Sequence, residues 1–295
     1  MVEELRDKAR ELLKNKRSDV IIGYKRASDG VSAMPAFIIN EKEIDTLVFD
    51  IYCVYNLSGY IKDFPGKKVA FVAKACDAVS IAVLCGENQA KREDLFIIGV
   101  ECRGVIDDKR SLSGGTEGQE TGFAEKCRNC KSAAPLLYDH LLKGGDMTKK
   151  DRERNDEDDY VSIRKMEARS PAERLKFWQD EFSRCIRCYA CRQVCPFCYC
   201  PTCVADQTMP AWFSKAADLL GNFSWNVTRA IHLAGRCTGC GECERACPMG
   251  IPLMDLNKKI AKDVKELFNY EAGFNAEQKP LFSSFDKSDP EDFIR

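Results

Sequence analysis

Thiols are the residues here whose type and spacing can do chemistry. Seventeen cysteines occur in 295 residues, seven of them between Cys185 and Cys203 and four more between Cys237 and Cys247. Two runs repeat one pattern: Cys185-x-x-Cys188-x-x-Cys191-x-x-x-Cys195-Pro196 is matched by Cys237-x-x-Cys240-x-x-Cys243-x-x-x-Cys247-Pro248. Three thiolates spaced by three residues in a tight loop can take three corners of one cubane. The fourth lies too far along to close that cubane and reaches the other cluster. The repeat therefore predicts two [4Fe-4S] clusters, one on Cys185, Cys188, Cys191 and Cys247, the other on Cys237, Cys240, Cys243 and Cys195. Structural zinc sites use paired C-x-x-C units instead. With only two histidines, His140 and His232, the chain offers little for haem or imidazole-bound zinc.

Cys198, Cys200 and Cys203 follow the first run at once. They fit shielding thiols, alternate ligands, or a further Fe–S or zinc site completed from elsewhere, and their spacing does not choose. Arg184, Arg187 and Arg192 surround the first run, with no acid from 184 to 204, whereas Arg236 and Arg245 at the second are balanced by Glu242 and Glu244. Nearby cations favour the more negative, reduced cubane, so the cluster held mainly by the first run is predicted to have the higher potential.

Other elements must position the upstream thiols. An amphipathic helix is predicted over 1–17, with Leu5, Ala9, Leu12 and Leu13 as its stripe. The apolar runs 20–22, 37–39 and 47–54 read as strands or short buried segments. A strand at 68–73, a helix at 77–87 with Asp77 as N-cap, and a strand at 95–100 make a βαβ unit, hence a small parallel sheet. Cys76 follows the first of these strands and Cys102 the second, at the carboxyl ends where parallel sheets carry their sites. Cys127-x-x-Cys130 comes after a Ser/Gly/Thr/Glu-rich loop at 111–122. Four thiols are the ligand count of a third [4Fe-4S] cluster; buried core cysteines are the alternative. Cys53 and Cys85 lie in apolar segments and read as core.

The predicted architecture is an α/β N-terminal domain over 1–143, a charged linker over 144–169, a mainly helical dicluster ferredoxin domain over 170–275 and an irregular tail over 276–295. Helices are predicted at 171–183, about 211–220, about 224–235 and 253–268. The two repeated runs resemble dicluster ferredoxin domains. The forty-one residues between Cys195 and Cys237 resemble the helical modules of heterodisulfide reductase and fumarate reductase iron–sulfur subunits. The segments GKKVAFVAKACD (66–77), LFIIGVECRGV (95–105) and CRNC (127–130) resemble the beta subunits of deazaflavin-coenzyme-reducing hydrogenases and dehydrogenases. In that family the matching cysteines hold a [4Fe-4S] cluster beside a flavin. The resemblance thus implies Cys76, Cys102, Cys127 and Cys130 as ligands, with FAD as a further cofactor. Ala75 stands where that family usually has proline, and the segment contributing to the flavin site gives way to a linker after Cys130.

A net charge of −1 gives no reason to expect nucleic acid as a partner. No apolar stretch approaches a membrane span and no apolar signal region opens the sequence, so a cytoplasmic protein is expected. Neither a P-loop nor a dinucleotide fingerprint is present. These features predict a non-catalytic electron-relay subunit whose partners are the redox subunits of a larger anaerobic oxidoreductase, such as a hydrogenase, a formate dehydrogenase or a heterodisulfide-reductase-like complex. The alternatives are a flavin subunit that itself oxidises or reduces a deazaflavin or nicotinamide coenzyme, and a protein using its clusters structurally or to sense oxygen.

Overall fold

A computed structural model describes residues 1–106, 122–128, 130, 134–144, 160–275, 279–283 and 287. The chain divides into two compact units, Met1–Glu157 and Asp158–Arg295. Residues 111–121 of the loop expected at 111–122, the charged run up to 159 and most of the tail from 276 lie outside the described residues.

The first unit is built on a five-stranded sheet of order β2-β1-β3-β4-β5. Its strands are β1 (Val20–Arg26), β2 (Ala33–Ile38), β3 (Val69–Ala73), β4 (Leu95–Val100) and β5 (His140–Leu142). Neighbours β1, β3, β4 and β5 pair in parallel, and β2 adds an antiparallel edge, with Ile21 opposite Ile38 and Arg26 opposite Ala33. The small sheet is thus mixed. The reversal is made at Asp29-Gly30: Asp29 Oδ1 accepts from Val31 N (2.9 Å) and Ser32 N (2.8 Å), and Gly30 takes φ +73°. Every residue of β3 is buried, as a strand covered on both faces requires.

Helix α1 (Val2–Lys14) buries Leu5, Ala9 and Leu12 along the predicted stripe. Helix α2 (Ala75–Gly86) connects β3 to β4 and is buried on most sides. It begins earlier than predicted: Lys74 is the N-cap, and Asp77, third in the helix, accepts the Lys74 backbone N–H at 2.9 Å. No strand forms over 47–54 apart from a single bridge between Leu47 and Lys25. Asp50 diverts the backbone there, its side chain accepting from Tyr52 N (2.8 Å) and its carbonyl from Cys53 N (3.1 Å). Such local bonds compete with a ladder.

The second unit is helical. After the short α3 of the first unit (Glu125–Arg128) come α4 (Val161–Glu167), α5 (Pro171–Ser183), α6 (Ala190–Gln193), α7 (Leu219–His232), α8 (Glu242–Arg245) and α9 (Leu253–Phe268). Helix α4 falls inside the stretch expected as linker. It buries Ile163, and its Glu167 meets Lys259 (2.8 Å) and Lys262 (2.9 Å) of α9. Helices α5 and α9 have the predicted bounds. The helix predicted at 211–220 does not form. Instead Asp218 caps α7, accepting from Gly221 N at 2.7 Å, so helical structure starts only at Leu219.

Helix α5 opens on a capping box. Ser170 Oγ accepts from Glu173 N (3.3 Å), Glu173 Oε2 accepts from Ser170 N (2.8 Å), and Pro171 fills the first turn. Ser170→Ala is expected to cost about 1 kcal/mol in denaturant unfolding while leaving iron content unchanged. The core beneath α5 joins Phe182, Cys243, Ile251 and Leu253, with Cys185, Cys191, Cys247 and Trp178 packed against it. The second unit therefore folds around its own thiols. Among the described residues no helix is long and apolar enough to cross a membrane.

Candidate metal centres

In the first unit, Cys76 stands in the first turn of α2 beyond β3, and Cys102 lies two residues beyond β4. Cys127 sits on α3 with Cys130 just after it. These four thiols are brought together. Burial pushes the Cys76 thiol up, with Asp77 adding and Lys74 opposing, and Cys102 is within electrostatic reach. Burial likewise raises Cys102, whose other neighbours include Lys74, Cys127 and Cys130. Two backbone N–H groups point at the sulfurs: Gly104 N lies 3.4 Å from Cys102 Sγ, and Val105 N lies 3.4 Å from Cys127 Sγ. Donors so placed favour the thiolate form. Gly104 has φ +110°, and a Cβ there would come within 2.9 Å of Phe123. That turn requires glycine.

Cys53 is a core residue, as expected: burial raises its thiol to about 12 despite the Asp50 N–H. Cys85 is raised too, mainly by burial.

In the second unit the two repeated runs cross over. The thiols within electrostatic reach of Cys191 are Cys185, Cys247 and Cys188. All four line one open hollow of about 350 Å³, together with Tyr189, Trp225 and Ile251. Cys195 is a neighbour of Cys237, Cys240 and Cys243. Each group thus takes three thiols from one run and the fourth from the other. Burial raises Cys237 to about 11, and it raises Cys240 and Cys243 as well. Cys243 also reaches Cys191, so the two groups adjoin.

The two loops share a backbone shape but not a sequence. Gly239 and Gly241 of the second run take φ +70° and +77°, and their counterparts Arg187 and Tyr189 take +56° and +58°. A left-handed residue with a side chain costs about 1–2 kcal/mol. Arg187 offsets this by donating to Gly221 O (2.7 Å), Ser214 O (3.0 Å) and Tyr189 OH (3.0 Å). The Tyr189 ring packs edge-on against Trp225, 5.0 Å between centroids.

The remaining cysteines go to different neighbours. The Cys198 thiol donates to Cys195, and this bond pulls the Cys195 thiol below its ordinary value. Cys203 bonds Arg192, and Cys200 is exposed. Among the described residues no three His, Cys, Asp or Glu side chains gather as a single metal ion would need. A cubane is gripped at its corners, so its thiols stand further apart than the ligands of one ion.

The charges around the first run are less one-sided than its sequence. Arg192 pairs with Asp206 (2.8 Å), two residues past the acid-free window, and Arg184 pairs with Glu181 while donating to Met249 O (2.7 Å). The cation that sequence reasoning missed is Arg229 of α7. It is 4% exposed and donates from Nη2 to Cys191 O at 2.8 Å. Burial works against its charge, but the thiols of Cys195, Cys243, Cys191 and Cys198 all favour it. No carboxylate among the described residues pairs with Arg229, and its Nε has no partner. A buried cation without a carboxylate needs another anion. Negatively charged clusters on these thiols supply one, so the residues present fit [4Fe-4S] groups.

Crossed four-thiol groups of this kind define an iron–sulfur electron-transfer protein with a dicluster ferredoxin domain. Residues 184–252 match the family model described as the 4Fe-4S dicluster domain. Over nearly its whole length the chain is similar to the F420-dependent formate dehydrogenase subunit beta of Methanocaldococcus jannaschii, with 25% identity across 92% of each chain. It is also similar to the F420-dependent formate dehydrogenase 1 subunit beta of Methanococcus maripaludis, 21% identical over 89% of this chain and 88% of the relative. The first alignment spans 350 positions. That exceeds the 295 residues available, so at least 55 positions face gaps in this chain. The beta-subunit resemblance of the α/β unit and the dicluster domain are therefore parts of one continuous likeness.

Proposed function

We propose that this chain is a relay subunit of a multi-subunit oxidoreductase and carries three [4Fe-4S] clusters. Their ligands are Cys76, Cys102, Cys127 and Cys130; Cys185, Cys188, Cys191 and Cys247; and Cys237, Cys240, Cys243 and Cys195. The observation that carries this reading is the sorting of twelve thiols into three groups of four. The clusters supply one-electron chemistry at each group. The chain's own residues hold the corners, exclude water with Tyr189, Trp225 and Ile251, and set the local charge. The catalytic chemistry then belongs to a partner. Formate oxidation is the leading candidate, because the similar proteins are formate dehydrogenase beta subunits by name.

The same names, with their F420 dependence, also favour the flavin alternative. In that case the chain itself passes electrons between a deazaflavin and FAD held in the first unit. The departures of the sequence weigh against it: Ala75 where that family usually has proline, and a linker where its flavin-site segment would follow Cys130. Anaerobic purification followed by iron, sulfide, zinc and flavin analysis tests both. About twelve iron per chain with no flavin is the expected result. About eight iron would remove the N-terminal cluster, and stoichiometric FAD would replace the relay with the coenzyme oxidoreductase.

A further inference from the structure

Helix α7 reaches both thiol groups of the second unit through one face. Asn222, Trp225, Asn226 and Arg229 recur at helical spacing and are buried. Asn222 Nδ2 donates to Phe182 O (3.0 Å) and Cys185 O (2.8 Å), which ties the helix to the start of the first run. Trp225 and Asn226 line the hollow of the first group. One turn further on, Arg229 bonds the Cys191 carbonyl. Its thiol neighbours belong to both groups: Cys191 from one, Cys195 and Cys243 from the other. Its Nε–H is buried and unpartnered, which is costly unless an acceptor arrives. Cluster sulfur or thiolate is the acceptor that this position meets.

Resting on the dicluster reading above, we propose that Arg229 is a shared redox-positioning residue that raises the reduction potentials of both clusters. Each reduction adds one negative charge beside a fixed cation. In a buried site that attraction is far stronger than in water. A guanidinium keeps its charge in either redox state, so it acts on both steps. Of the arginines next to the first run, Arg184 and Arg192 are already engaged with Glu181 and Asp206, and Arg187, buried against neutral oxygens, lines the hollow of the first group. The two potentials thus share one determinant outside both motifs, beside the motif charges Arg187 at the first group and Glu242 at the second.

The test is a potentiometric EPR titration of the full chain as wild type, Arg229→Lys and Arg229→Gln, with iron counted in each sample. In Arg229→Gln both reduction equilibria are expected to fall about tenfold, equivalent to about 59 mV for one electron. Arg229→Lys keeps the charge and lies between. Full iron with unmoved potentials, or a shift in one cluster alone, overturns the proposal. If Arg229→Gln loses iron, restoration by Arg229→Lys supports the role of charge, and loss in both variants overturns it in favour of shape. A wild-type protein without the dicluster iron defeats the cluster reading itself, a failure the same counts tell apart.

Discussion

Cys247→Ala is expected to remove the cluster of the first run, although Cys247 belongs to the second. Cys247 shares the electrostatic neighbourhood of Cys191 with Cys185 and Cys188, and the same four thiols line one hollow. Removing it leaves a cubane one corner short and opens the core that Cys243, Ile251 and Phe182 build beside it. Iron should fall by about four atoms, and the melting temperature should fall with it, because ligation free energy is folding free energy. Cys195→Ala attacks the other cluster, yet with a milder outcome. The Cys198 thiol already sits within hydrogen-bond reach of Cys195 and beside Arg229, so it is placed to take the vacated corner. Full loss of the second cluster is expected only in Cys195→Ala/Cys198→Ala. Iron analysis with EPR of each variant decides the matter. Loss of the second-run signal in Cys247→Ala would refute crossed ligation, and complete loss in Cys195→Ala would refute the spare thiol.

The crossed pairing we propose was suggested by spacing, since the fourth cysteine of a run lies too far along to close its own cubane easily. The βαβ unit was legible for a similar reason: buried parallel strands write themselves as unbroken apolar runs, as Val69–Ala73 does. Arg229 was not legible. It lies on a helix whose inward face mixes Trp225 with Asn222 and Asn226, and a buried arginine is against expectation until the fold supplies its anions. Two signals were present but unused. Asp29-Gly30 is a turn pair between apolar runs and announces the antiparallel edge β2. Aligning the two runs sets Arg187 and Tyr189 against Gly239 and Gly241, which points to a left-handed backbone at both positions. The stretch 47–54 misled because its apolar content is real: Leu47, Phe49, Cys53 and Val54 are buried. They are buried from an irregular path that Asp50 bends, and composition does not record path.

Lys74→Met is expected to destabilise the first unit by about 3–5 kcal/mol, the largest single-site stability loss predicted for it. Lys74 closes the end of β3 and is 1% exposed. Burial works against its proton, but the Asp77 carboxylate 3.0 Å away, joined by Tyr24 and Cys76, outweighs this and holds the ammonium well above its ordinary range. Its Nζ also donates to the Tyr24 hydroxyl of β1 and to Tyr55 O at 2.7 Å. Asp77 in turn accepts from Lys74 N and, at 3.0 Å, from Leu57 N. One ion pair therefore fastens two strands, the start of α2 and the 52–57 segment behind Cys76. Methionine fills much of the volume but leaves Asp77 buried without its counter-charge, and that uncompensated charge dominates the cost. Lys74→Met/Asp77→Asn removes both charges and is expected to recover a large part of the loss. Denaturant unfolding of the two variants separates the causes. Equal losses would assign the effect to packing. Recovery in the double variant would assign it to the stranded carboxylate, and the same cation, which electrostatically neighbours Cys76 and Cys102, would then stand as the first unit's counterpart to Arg229.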